Sequence, residues 1–165
     1  MKWLWRLGVI LLGLFAVQLF LVSTFIVENT SMLPSYDDGD IVVVSKIAGI
    51  ERGDVVVVDA KQAFFTTRNI DYVIKRVIAV GEDHVVCCNK QGKLLLNEQP
   101  LEEPYVLGSK GDIPFDVRLP QNTVWLMGDN RKNSLDSRDL LGLPGGGAIS
   151  VNHIIGEVVW ALWRN

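Results

Sequence analysis

Histidine is scarce in this chain: the 165 residues include only His84 and His153. Neither sits in a His-x-x-x-His pair, and no Cys-x-x-Cys occurs, so metal-centred hydrolysis finds no ligand set. A Ser-His-Asp triad would have to use one of these two, yet His84 opens a hairpin and His153 lies in a polar bend. Both read as surface histidines. Basic clusters are also missing. The formal net charge is −3, and setting aside Lys2 and Arg6, which precede an apolar run, leaves −5 on the remainder. Nucleic-acid binding needs a basic patch and is excluded on that ground. Internal repeats are absent, and the only low-complexity tract is Gly145-Gly146-Gly147.

What is present begins with a long apolar stretch. From Leu7 to Val27 only Gln18, Ser23 and Thr24 interrupt apolar residues and glycines. As a helix such a run crosses about 30 Å of hydrocarbon. Lys2 and Arg6 ahead of it and Glu28 behind it orient the N-terminus to the cytoplasm. A cleaved signal peptide is the alternative, but its apolar core is shorter, about 7–15 residues, and ends at a small-x-small site. Phe25-Ile26-Val27-Glu28 offers none. The expectation is residues 1–6 in the cytoplasm, a membrane helix over 7–27, and everything later outside the cytoplasm.

The remaining 135 or so residues suffice for one core with a satellite. They read as mainly β. Asp37-Asp38-Gly39-Asp40 turns into Ile41-Val42-Val43-Val44, and Arg52-Gly53-Asp54 turns into Val55-Val56-Val57-Val58. Both strands are β-branched and continuously apolar, as buried strands are. Phe64 to Asp71 is expected to be a connecting loop. Tyr72 to Val80 is a strand with an anomaly, because adjacent Lys75 and Arg76 must point to opposite faces. One of them faces inward, where an unpaired charge is costly. His84 to Cys88 and Lys93 to Leu96 form a hairpin around Asn89-Lys90-Gln91-Gly92, and Glu98 to Asp112 reads as a loop or surface arm. Strands return at Val124 to Met127 and Ile154 to Trp163. Residues 82–120 are taken as an inserted β subdomain within a catalytic β domain formed by 28–81 and 121–165. The fold expected is a coiled antiparallel sheet or partly open barrel.

Ser31 follows the apolar run within Glu28-Asn29-Thr30-Ser31-Met32-Leu33-Pro34-Ser35. This stretch reads either as a polar turn or as a nucleophile held at a membrane surface. Lys75 is the residue able to activate it. A lysine desolvated in an apolar strand loses proton affinity, and a neutral lysine can accept a serine proton. Alternatively Lys75 snorkels to solvent.

Five motifs occur in one order: Ser31-Met32-x-Pro34, Gly39-Asp40-x-Val42-Val43, Arg52-Gly53-Asp54-x-Val56, Lys75-Arg76-Val77-Ile78 and Gly128-Asp129-Asn130-Arg131-x-x-Ser134-x-Asp136-Ser137-Arg138. Together they resemble the bacterial type I signal peptidases, membrane-bound Ser-Lys endopeptidases that release exported proteins from their signal peptides. The resemblance implies that Ser31 is the acyl-forming nucleophile, Lys75 its general base, and Ser134 the hydroxyl that orients the lysine. It implies an Asp136–Arg138 salt bridge, with Asp129 and Arg131 bracing the same loop. The oxyanion would be held by the Ser31 N–H and by the Asn29 side-chain amide as donor. Met32, Val73 and Ile74 would line the pocket for the residue before the cut, with Val27 and Phe25 further out. No cofactor is implied, and no obligate protein partner. The implied partners are signal-peptide-bearing precursors cut after small-x-small sites, and the lipid bilayer, toward which Trp160 and Trp163 could dip or else pack in the core.

The chain departs from the family pattern at Gly81-Glu82-Asp83, where Pro-Gly-Asp is usual, and at Ser35, where Thr is common. It also departs at Asn29, where Ser, Thr or Gly is more frequent, and in a longer, glycine-rich stretch between Gly142 and Ile154. Cys87 and Cys88 leave several readings open. An extracytoplasmic pair invites a disulfide, but neighbours in a strand point apart and a vicinal bridge needs strained geometry. Free buried thiols or an intermolecular bridge are the alternatives. Other functions remain in view: a Ser-Lys processing peptidase of narrow specificity, and a non-catalytic homologue that binds exported peptides.

Overall fold

The computed structural model describes residues 2–64, 70–108 and 113–163, with the side chains of residues 12, 14–20 and 163 left out. A helix, α1, runs over Lys2–Leu21 and passes directly into strand β1, Val22–Ile26. This corrects the expectation of helix over 7–27. Val22, Thr24 and Ile26 are β-branched, and the stretch pairs antiparallel with β2 (Ile41–Ser45), Val22 opposite Ser45 and Ile26 opposite Ile41. Among the described residues no helix is long and apolar enough to cross a membrane.

β3 (Val55–Asp59) pairs antiparallel with β4 (Tyr72–Val80), setting Val56 opposite Lys75 and Val55 opposite Arg76. Both faces of β3 are buried, which is why its valines run without alternation. A short helix, α2 (Ala60–Phe64), leaves β3 and buries Ala60, Ala63 and Phe64. It ends at Phe64, where the stretch that reads as loop begins, and residues 65–69 lie outside the described residues.

A second sheet follows. β5 (His84–Cys87) lies between β6 (Leu95–Leu96) and β8 (Phe115–Arg118), with β7 (Gln99–Pro100) outside β6. Cys87 and Cys88 are bonded to each other at its end. The chain then returns to the main sheet through β9 (Thr123–Met127), β10 (Ile149–Ser150) and β11 (Ile154–Trp163).

The main sheet is antiparallel, ordered β1-β2-β11-β3-β4-β9-β10. The last strand therefore lies inside the sheet, third in order, joining β2 to β3. Among the described residues three apolar clusters fill the fold. One gathers Val56, Val58, Val77 and Leu126 on one face, and another gathers Val27, Met32, Val57 and Ile74 on the opposite face. The third packs the second sheet against Trp125 and Met127 of β9. The result is mainly β, a curled antiparallel sheet with a smaller sheet beside it.

Candidate active site

Ser31 sits between β1 and β2, and three contacts fix its segment. Asn130 N donates to Ser31 O at 3.0 Å, Asn130 Nδ2 donates to Thr30 O at 3.0 Å, and Asn133 Nδ2 donates to Thr30 Oγ1 at 2.8 Å. The serine is buried, and so is Lys75 at 2% exposure. Lys75 is thus the inward residue of the Lys-Arg pair and does not snorkel. Its Nζ donates to Ser31 Oγ at 2.9 Å and to Ile74 O at 2.8 Å. Burial lowers its pKa to about 8, partly countered by the negative charges of Asp136, Asp129 and Asp139.

Ser134 does not make the hydrogen bond expected of it. Its Oγ is buried and has no hydrogen-bond partner among the described residues. A Cβ on Gly128 would lie 2.3 Å from that oxygen and 2.5 Å from Ser31 O, so the hydroxyl and the nucleophile's carbonyl flank the same glycine. Only a residue without a side chain fits between them.

Asn29 also differs from expectation. Its φ is +80°, a left-handed conformation that Asn tolerates better than most residues. Its own N–H donates to Asp38 Oδ1 at 2.6 Å, while its side-chain Oδ1 accepts the Ser31 N–H at 3.0 Å. At that amide Asn29 is an acceptor, not a donor.

The charged residues of the 128–138 loop pair partly as expected. Arg138 Nε and Nη2 donate to the two oxygens of Asp136, each at 2.8 Å, in a bidentate pair. Asp136 also caps the short 3-10 helix Ser137–Leu140 and accepts from Gly128 N. Asp129 and Arg131 each pair with a residue outside the loop. Asp129 accepts from Arg76 Nε at 2.9 Å and Nη2 at 2.6 Å, and Ser35 Oγ adds a third bond at 2.5 Å. Arg131 reaches Glu103, in the segment expected to be a surface arm, and its Nε donates to Gly128 O at 3.1 Å. Tyr105 from the same segment lies under the Arg76 guanidinium, 4.0 Å from ring centroid to Cζ.

Arg76, Asn130, Asn133, Ser35, Glu103 and Tyr105 are given no role in the site by the sequence reading. The first four lie inside the quoted motifs or next to them, which is the available signal. Glu103 and Tyr105 carried none. Both histidines lie outside this cluster: His84 is held between Glu98 and Asp116, and His153 belongs to the turn before β11. Among the described residues no His, Cys, Asp and Glu group could hold a metal ion.

Beside the Ser31–Lys75 pair runs a cleft of about 420 Å³ between the free edge of β1 and the first half of β4. Phe25, Val27, Val73 and Ile74 line it, as does Tyr72, whose ring meets Phe25 edge-on at 5.2 Å. Met32 does not line it. It is fully buried in the apolar cluster beneath, with Val27 and Ile74.

The family model for signal peptidase, peptidase S26, matches residues 1–163. Signal peptidase I of Bacillus amyloliquefaciens is 33% identical over 171 residues, covering 93% of this chain and 81% of the relative. Signal peptidase I U of Bacillus subtilis strain 168 is 31% identical, covering 79% of this chain and 73% of the relative. Signal peptidase IB of Staphylococcus aureus strain N315 is 31% identical, covering 99% and 89%. Among solved structures, a signal peptidase I from Enterococcus faecalis V583 superposes with a TM-score of 0.52 at 21% identity. It covers 68% of this chain and 99% of that one, a likeness of fold. With a match that runs nearly end to end and relatives at this identity, the chain belongs to the signal peptidase family, peptidase S26.

Proposed function

We propose that this protein removes signal peptides from exported precursors as a membrane-anchored serine endopeptidase, cutting after small-x-small sites through a Ser31–Lys75 dyad. The observation that carries the reading is the buried 2.9 Å contact between Lys75 Nζ and Ser31 Oγ. With the lysine neutral, the same contact runs in reverse, the hydroxyl donating to the amine. Ser31 Oγ attacks the scissile carbonyl and its proton passes to Lys75. The protonated lysine then supplies a proton to the leaving amine, and an acyl ester stays on Ser31. Water, deprotonated by the lysine, releases the product acid and restores the hydroxyl.

The cleft supports an extended peptide between β1 and β4. β9 pairs with β4 only from Arg76 onward, so residues 72–75 keep one free edge for main-chain hydrogen bonding. Val27 and Ile74 close to the nucleophile exclude large side chains by bulk. Asp136–Arg138 and Asp129–Arg76 hold the loop on which Ser134 sits.

The membrane reading rests on the apolar run from Leu7 to Val27 in the sequence, and is supported by Trp3, Trp5, Ile10 and Leu11, each more than half exposed. The N-terminus is assigned to the cytoplasm and the catalytic domain to the outer side, with residues 82–120 as an inserted subdomain. Trp160, 70% exposed, adds an apolar group that could meet lipid. The side chain of Trp163 lies outside the described residues.

The test is cleavage of a secretory precursor by detergent-solubilised wild type, Ser31→Ala and Lys75→Ala, each shown to be folded. Cleavage at the small-x-small site by wild type alone supports the dyad. Precursor binding without cleavage by wild type, across a panel of precursors, removes the enzyme reading and leaves a peptide-binding homologue.

A further inference from the structure

The nucleophile's own amide is already occupied. Ser31 N–H donates to Asn29 Oδ1 at 3.0 Å, and a backbone N–H has one proton to give. An amide side chain facing a donor must present its oxygen, so the orientation of Asn29 follows from the contact. In acyl transfer the negative charge grows on the carbonyl oxygen of the substrate, and donors aimed at that oxygen lower the barrier. The amide of a serine nucleophile is placed to be such a donor. In the resting protein it is turned to Asn29 instead.

We infer that Asn29 is a removable cap on the nucleophile's amide: its side-chain oxygen must leave the Ser31 N–H before acyl transfer proceeds. The inference rests on Ser31 being the nucleophile. The surroundings allow the side chain to move while the backbone stays fixed. Asn29 is exposed. Its main chain is tied by its N–H to Asp38, and Thr30 and Ser31 are tied to Asn130 and Asn133. A half-turn about the last side-chain bond exchanges Oδ1 for Nδ2, replacing an acceptor that competes with the substrate oxygen by a donor that can bind it.

A purely local role makes a different forecast. An Asn that only shapes the 29–31 turn does so by accepting the Ser31 N–H. Aspartate keeps that acceptor, whereas alanine lacks it. Under a turn role Asn29→Asp outperforms Asn29→Ala. Under the cap the order reverses, because aspartate has two acceptor oxygens and can never present a donor.

The experiment measures kcat and KM on a peptide with a small-x-small site for wild type, Asn29→Ser, Asn29→Ala and Asn29→Asp. Alongside it, a peptide aldehyde of the same sequence measures affinity for the tetrahedral state. Ser31 Oγ bonds to the aldehyde carbon, the hydroxyl proton moves to Lys75, and the carbonyl oxygen becomes the alkoxide. The expected result is kcat in the order Ser above Ala above Asp, with Asp down about 100-fold or more from wild type. Aldehyde affinity falls in parallel while KM stays within about threefold. Asn29→Asp at or above Asn29→Ala overturns the cap. A structure of the wild-type aldehyde adduct decides independently of how the variants fold: Oδ1 off the Ser31 N–H supports the cap, and Oδ1 still accepting it overturns the cap. If wild type cuts no peptide at all, it is the peptidase reading that has failed, and the ranking never comes into play.

Discussion

Glu103 and Arg131 meet with neither side chain exposed to solvent, the guanidinium donating to both carboxylate oxygens. Around them Leu107 N donates to Asp129 O and Arg131 N to Leu107 O, so the segment between β7 and β8 meets the 128–138 loop in a single parallel bridge at Leu107 and Asn130. The smaller sheet is thereby fastened to the loop that packs on Ser31. Removing one member of a buried ion pair leaves the other charge uncompensated, at about 3–5 kcal/mol. Glu103→Ala is expected to lose stability on that scale in urea unfolding, and Glu103→Leu combined with Arg131→Met to recover more than half of the loss.

The dyad sets the pH dependence. Burial holds Lys75 near 8, and only the neutral amine can take the Ser31 proton. Cleavage at low substrate is expected to rise about tenfold per pH unit below that value and to level above it. A profile flat from pH 6 to 9 would count against Lys75 as the base.

The same lysine shapes stability. Its folded pKa, about 8, lies below the ordinary 10.5, so between these values the unfolded chain binds more protons and stability grows as pH rises. Below pH 8 the buried charge costs the fold about 3 kcal/mol relative to the neutral form. Lys75→Met, of similar length and without charge, is expected to be more stable than wild type at pH 7. Its advantage should shrink by about that amount toward pH 10.5. Paired urea titrations at the two pH values measure this, and a constant difference between the proteins would contradict it.

Gly128 leaves no room for a side chain, because its Cβ would fall within 2.6 Å of Ser134 and Ser31 O. Gly128→Ala is expected to push the loop off the nucleophile segment, abolishing cleavage and lowering the melting temperature. Cleavage at the wild-type rate would mean that this contact is dispensable.

How much could be read beforehand depends on how local each signal is. Lys75 stood out because a charge in an apolar strand is an anomaly visible in nine consecutive residues, and β4 has the bounds that the run suggested. Asp136 and Arg138, two residues apart, pair as the resemblance implies. Strand β1 was hidden because Val22 to Ile26 continues the hydrophobic run of α1, and hydropathy alone cannot separate a helix from a strand that follows without a turn. Asp129 has Arg131 two residues away but pairs with Arg76, fifty-three residues distant, because the β4–β9 register brings Arg76 opposite Met127. Glu103 lay in a Pro- and Gly-rich stretch that looks solvated. Its burial is created by a partner that only the folded chain brings near.

β11 is the last of the described strands in the sequence and the third in the sheet, and the sheet passes from β2 to β3 through it. Ser31 belongs to the β1–β2 side of that seam and Lys75 to the β3–β4 side. Residues 154–163 are thus the seam that joins the serine half and the lysine half of the sheet into one ladder, although β11 supplies neither residue of the pair.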